Sequence, residues 1–294
     1  MAGFLKTAGR LIGRKLKKLF RREQWILLSK RGDALSGSFE RFKTLTPPAD
    51  RFWADPHLIE RDGRPYLFAE EYLDATGLGR IVVFECDENG NWISPPQPVL
   101  ERPYHLSYPF LFEHADELYM LPETAGNRTI EAYRCVEFPH RWEPAAVLMN
   151  DVSAVDATLH ERDGRWWMFV NLREHPGASS WDELHLFSAD SPLATAWTPH
   201  PANPIVSDVR SARPAGAIFE ADGRWIRPAQ DCSGRYGRGL KFMEIITLDE
   251  RRYEEREVAS HYADWSDDLT TIHAFARCRA ATVVDAMRKR SRFR

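Results

Sequence analysis

The chain is poor in cysteine, has no long apolar run and carries almost no net charge, and each scarcity removes a class of protein. Only 4 of its 294 residues are cysteine. Cys86, Cys135, Cys232 and Cys278 lie far apart, with no C-x-x-C pair and no adjoining histidine, so neither a disulfide framework nor a zinc site is indicated. They are expected to be reduced, buried and small apolar in character. No apolar stretch approaches the roughly 20 residues that span a bilayer. A secretory signal, with its apolar segment and small-residue cleavage site, is not visible either, and a cytoplasmic location is expected. The formal net charge of −3 hides an uneven spread. Residues 1–22 hold Lys6, Arg10, Arg14, Lys15, Lys17, Lys18, Arg21 and Arg22 and no acid, so all 43 acidic residues lie beyond them with 32 of the 40 basic ones. An acidic main domain offers no broad positive face to phosphates, which excludes nucleic acid as a partner.

What is present divides in two. In the basic leader, Phe4, Leu5, Ala8, Leu11, Ile12, Leu16, Leu19 and Phe20 recur at steps of three and four, the spacing of one apolar stripe on a helix. An amphipathic helix over residues 1–23 is predicted. Its cationic face suits contact with anionic head groups, a peripheral association through residues 1–22 with the inner face of a membrane. A helix docked on its own domain fits the same pattern. A second basic cluster, Arg288, Lys289, Arg290, Arg292 and Arg294, is read as a tail over 288–294.

Between these ends the composition, 43% hydrophobic and 28% charged, is that of a globular domain with a full core. One shape recurs four times: a strand, a tight turn and a second strand. The copies begin at Asp55, Tyr108, Asp156 and Ala215, and run through Asp62-Gly63, Asp116, Asp163-Gly164 and Asp222-Gly223. Asp-Gly between alternating apolar residues is a strong hairpin signal. A further strand follows each hairpin, and three of these lead to Trp92, Trp142 or Trp197. The starts lie roughly 50 residues apart, near the length of one four-stranded propeller blade. A fifth, degenerate unit lies in Ile272–Asp285, and the segment Gln24–Leu28 is expected to supply its missing outer strand. An all-β fold follows: a five-bladed β-propeller over residues 24–287.

The first strand of each propeller blade lines the central channel, so equivalent positions form rings about the axis. The opening position gives Asp55, Tyr108, Asp156 and Ala215; the position 15 residues on gives Glu70, Glu123, Asn171 and Gln230. Buried carboxylates are costly and are kept only with partners or a task. Facing carboxylates can protonate a leaving oxygen and activate water or a hydroxyl, which is what making or breaking a glycosidic bond requires. Trp53 and Tyr108 are candidates for stacking on sugar. Lacking metal-ligand spacing, His57, His105 and His273 imply no metal, and no cofactor is expected. The segment Asp231–Gly239 is Gly-rich without the phosphate-loop ending and reads as a funnel loop.

The motifs Phe52-Trp53-Ala54-Asp55-Pro56, His105 to Phe110, Pro122-Glu123, Arg213 to Gly216 and Arg227 to Asp231 resemble the N-terminal propeller domain family of glucosamine inositolphosphorylceramide transferase. The resemblance covers roughly residues 50–285. That domain is similar to the five-bladed propellers of glycoside hydrolase families 43 and 32, which implies Asp55 as base or nucleophile and Asp156 as the residue that orients it. The fourth-blade glutamate acid of those hydrolases is replaced by a region offering Arg213, Gln230 and Asp231. Glu123, ahead of Glu70, is then the candidate acid. Trp53, Glu70, Tyr108, Asn171, Arg213, Gln230, Asp231 and His273 are the expected substrate-binding residues. The expectation is a carbohydrate-active enzyme acting on a surface polysaccharide or lipid-linked glycan. In the namesake transferase the recognised glycosyltransferase domain lies elsewhere in the chain, which implies the alternative of a non-catalytic glycan-binding accessory.

Overall fold

A computed structural model describes residues 21–33, 39–175 and 177–291. The described residues form five antiparallel sheets, and these are the five blades that the repeats imply. Blade one comprises strands Arg51–Arg61, Arg64–Leu73, Leu78–Phe84 and Gln97–Leu100. Blade two runs from Ser107 to Asn150, blade three from Ala154 to Ser207, and blade four from Phe219 to Tyr262. The first two strands of blades one, three and four meet at turns in which both residues take positive φ: Asp62 and Gly63, Asp163 and Gly164, Asp222 and Gly223. Blade two makes the same turn with Ala115 and Asp116 at φ 49° and 61°. Mirror-type turns of this kind match the twist of the flanking strands.

Blade five is assembled from both ends of the chain. Its second strand, Ala281–Ser291, pairs with Arg21–Arg31 along its whole length, from Arg21 opposite Ser291 to Arg31 opposite Ala281. Gln24–Leu28 therefore belongs to the third strand, and Lys43–Leu45 is outermost. Two boundaries move as a result. Residues 21–23 and 288–291 lie in strands, where a helix and a tail had been expected. The main-chain donors and acceptors of each segment find partners in the other, which local charge patterning cannot reveal. The remainder of the expected helix, residues 1–20, lies outside the described residues, as do 292–294. No described helix is long and apolar enough to cross a membrane.

Five apolar clusters sit between consecutive blades. Phe68, Ile81 and Val83 of blade one meet Leu118, Met120 and Tyr133 of blade two. Leu27 and Val283 of blade five meet Trp53, Leu67 and Phe84 of blade one. Sheets packed face to face around an axis leave only their inner strands to line it. Cys232 is buried, while Cys86, Cys135 and Cys278 are half-buried, and none is in a disulfide.

Candidate functional site

The channel-lining strands of blades one to three each carry an irregularity at the opening residue. Register breaks fall between Ala54 and His57, Ser107 and Phe110, and Val155 and Thr158. Within these bulges Asp55, Tyr108 and Asp156 adopt positive φ of 51°, 43° and 52°. Such conformations cost about 1–3 kcal/mol each in residues other than glycine and persist where surroundings enforce them. Here the bulge turns the side chain and main-chain amide toward the axis. In blade four the same step is taken by Gly216 at φ 142°, where an added Cβ would lie 2.1 Å from the carbonyl oxygen of Phe275.

The strain is held by a ring of hydrogen bonds that passes from blade to blade. Asp285 of blade five accepts the amides of His273 and Ala274 at Oδ1 (3.0 and 2.9 Å), and that of Asp55 at Oδ2 (3.0 Å). The Asp55 carboxyl accepts the Tyr108 amide (3.3 Å). The Tyr108 hydroxyl bonds to Thr158 (2.7 Å) and accepts the Gly216 amide (3.0 Å). Arg213 donates from Nε to Asp156 (2.6 Å), and Phe275 donates its amide to Ala215 (2.7 Å), which closes the circle.

Inside this ring the ionisable groups form one cluster. Asp156 Oδ2 takes hydrogen bonds from Arg213 and from Gln230 (3.1 Å), and Gln230 also donates to Pro214 (2.9 Å). Glu123 lies 3.9 Å from an Arg213 nitrogen, close enough to Asp156 for the two acids to influence each other. His273 stands between two carboxyls, Nδ1 2.7 Å from Asp285 and Nε2 3.4 Å from Asp55. Side-chain exposure falls from 14% at Glu123 to 8% at Asp55 and 2% at Asp156, so an incoming ligand meets Glu123 first.

Burial sets the proton affinities. It pushes the Asp55 carboxyl up to about 7, with His273 pulling the other way. Burial, then the charge of Asp156, pushes Glu123 up to about 8 against the pull of Arg213. Glu70 is raised well above the usual carboxylate range by burial and by its acidic neighbours. Burial opposes a charge on His273, yet Asp285 and Asp55 outweigh it and raise the imidazole. Desolvation of this order is what tunes carboxyls for proton transfer near neutrality.

Residues 43–281 match the family described as glucosamine inositolphosphorylceramide transferase 1, N-terminal. The chain belongs to this family. It is 36% identical over 207 residues to glucosamine inositolphosphorylceramide transferase 1 of Oryza sativa subsp. japonica, and 34% identical over 209 residues to that of Arabidopsis thaliana. These matches cover 69% and 70% of the chain, which spans 27% of the length of these curated relatives. Among solved structures, the catalytic domain of the Coprinopsis cinerea GH62 α-L-arabinofuranosidase superposes with TM-score 0.60 at 11% identity. That superposition covers 88% of this chain and 97% of the other. A GH43 β-xylosidase/α-arabinofuranosidase from a compost microbial metagenome gives 0.57 at 16% identity, covering 80% and 83%. At such identities the likeness establishes the shared propeller fold.

Within this member of the family, Asp55, Glu123, Asp156, Arg213, Gln230 and His273 converge as the sequence suggests. Others do not. Trp53 is 1% exposed, stacked edge-on against Phe84 in the core with its indole donating to Glu71 (3.0 Å). Two residues before the bulged position, it faces the neighbouring blade and cannot stack on sugar. Tyr108, fully buried, is a strut of the ring. Asp231 turns to its own loop, accepting from the Ser233 amide (2.8 Å) and the Tyr262 hydroxyl (3.0 Å). Glu70 faces His105, which accepts the Gly79 amide at Nδ1 (2.9 Å) and so carries its hydrogen on Nε2, 3.3 Å from the carboxyl. Asn171 is wholly buried, with neither polar side-chain atom partnered.

Two residues escape a sequence reading. Asp285 is the fifth-blade counterpart of the Glu70 column, disguised because its hairpin is short and has no Asp-Gly turn. Tyr236, in the Gly-rich loop, brings its ring 5.1 Å from that of His273 and 5.0 Å from the Arg213 guanidinium. Asp55, His273 and Asp285 offer ligand atoms within 4.8 Å of one another, the nearest approach to a cation-binding set among the described residues. Asp285 already accepts three main-chain amides, and the imidazole presents different nitrogens to the two carboxyls. The set is a row of carboxyl, imidazole and carboxyl joined by charge.

Proposed function

We propose that this domain handles carbohydrate in its funnel and makes or breaks a glycosidic bond there. One observation carries the reading: a buried ion pair, Asp156 with Arg213, is flanked by two carboxyls from other blades, Asp55 and Glu123, each with a raised affinity for protons. At neutral pH Glu123 retains a proton to give to the departing glycosidic oxygen. Asp55, raised toward neutrality by burial, accepts a proton from water or an acceptor hydroxyl, or attacks the anomeric carbon itself. Asp156 holds Arg213 and Glu123 in place. Water as acceptor gives hydrolysis and a sugar hydroxyl gives transfer.

A lipid-linked glycan fits where the leader joins. Arg22 pairs with Asp74 and donates to the carbonyl of Ala49 (3.0 Å), both at the funnel-mouth end of blade one. A basic leader entering there supports peripheral contact with anionic lipid on that side, at the inner face of a membrane. The second reading, a glycan-binding accessory without turnover, is favoured by Arg213, a fully engaged cation in the blade that would otherwise supply a carboxylic acid.

Incubating the protein with lipid-linked glycans, nucleotide sugars and alkyl and aryl glycosides, and following products by mass spectrometry, separates the two. Bond making or breaking that Glu123→Gln loses for alkyl glycosides but largely keeps for aryl glycosides, whose leaving groups need no proton, supports catalysis. Tight glycan binding with no product supports the accessory role.

A further inference from the structure

Five large apolar side chains stand exposed among the described residues: Ile93, Val147, Trp181, Ile246 and Val258. Trp181 is the one aromatic, and it stands at the funnel mouth. It belongs to the connection after the second strand of blade three, while Tyr236 belongs to the corresponding loop of blade four. Their ring centroids lie 5.7 Å apart at 40°. Beneath them is Arg213, whose guanidinium stacks on Tyr236 at 5.0 Å and donates to Ser180 (3.4 Å), the neighbour of Trp181. One buried cation thus ties both loops to the Asp156 carboxylate.

The blade-four loop is built into this position. Asp231 accepts the Ser233 amide and hydroxyl (2.8 and 2.5 Å), and Arg238 donates to the same hydroxyl (2.8 Å). Gly237, at φ 61°, presses so closely on blade five that an added Cβ would lie 2.9 Å from the His273 Cβ. Tyr236 meets Trp25 edge-on at 6.5 Å, and Trp25 in turn stacks on His273 at 4.1 Å.

We infer that Trp181 and Tyr236 form a sugar-stacking ledge at the funnel mouth, so that the site takes an oligosaccharide, one ring in the funnel and the linked pyranose on the ledge. This rests on the funnel being the carbohydrate site. A pyranose presents an apolar C–H face that an exposed, rigid indole can cover at small entropic cost. The acids below then act on the bond between the two rings, and the ledge selects for the second ring.

The test is an array of neutral and acidic oligosaccharides of two to six units, followed by titration of the binders, and of the matching monosaccharides, by tryptophan fluorescence. For the wild-type protein, Trp181→Ala should weaken oligosaccharide binding about tenfold and leave monosaccharide binding unchanged. Trp181→Phe and Tyr236→Phe, which keep a ring, should retain most of the affinity. Equal oligosaccharide affinity in Trp181→Ala overturns the ledge and leaves the funnel reading standing. Wild-type protein that binds no member of the array overturns both.

Discussion

Arg213 donates from Nε to Oδ2 of Asp156 at 2.6 Å, deep inside the propeller and between two neighbouring blades. The pair is 9% and 2% exposed. Removing one partner leaves the other charge buried and alone, which costs about 3–5 kcal/mol. Arg213→Met should therefore lower unfolding stability by that amount in denaturant titrations, and Arg213→Met with Asp156→Leu should recover much of it. A single variant as stable as the wild type would show that the pair is not held dry.

Asp285 accepts three main-chain amides, including that of Asp55. Asp285→Ala orphans these donors at about 1–3 kcal/mol each, and it releases the strained backbone at Asp55. Its expected signature is faster amide exchange at residue 55 together with lower stability, read by hydrogen-exchange mass spectrometry. Unchanged exchange there would contradict the role assigned to the ring.

Proton affinities in the funnel set how stability follows pH. Glu123 is raised from 4.5 to about 8 and Asp55 from 3.8 to about 7. Between the ordinary and raised values the native protein keeps protons that the unfolded chain has lost, so stability falls as pH rises. Glu70 and His273, also raised, act in the same direction. Below pH 7 the buried His57 and His160, lowered to about 3 and 4 by burial, act the other way, so the thermal midpoint should decline from pH 7 to pH 8, and Glu123→Gln should flatten that decline. A midpoint that climbs over that range would refute the charge pattern.

Trp53 packs against Phe84 and donates to Glu71 in the core between blades five and one. Trp53→Phe should cost about 1–3 kcal/mol of stability and leave glycan affinity unaltered. Calorimetric unfolding and titration of one bound glycan check both halves.

The repeat made the fold legible, because Asp-Gly turns and alternating strands are local and recur. It also placed Asp55, Asp156 and Glu123 on common rings. Trp53 was misplaced because the bulge at Asp55 shifts the period of two on which facing is read. Asp285 was hidden by a shortened hairpin, and Tyr236 because a glycine-rich loop carries no period at all. Closure of blade five by Gln24–Leu28 was legible from the incomplete fifth repeat, whereas the outermost strand, Lys43–Leu45, is three residues long and too short to show a period.

The most direct measurement is the rate of glycosidic bond making or breaking by wild-type protein and by Asp55→Asn on the substrate found by screening. A fall of about 10²–10⁴-fold or more, with the fold and glycan affinity retained, is predicted. Wild-type turnover that survives Asp55→Asn unchanged would contradict the central claim.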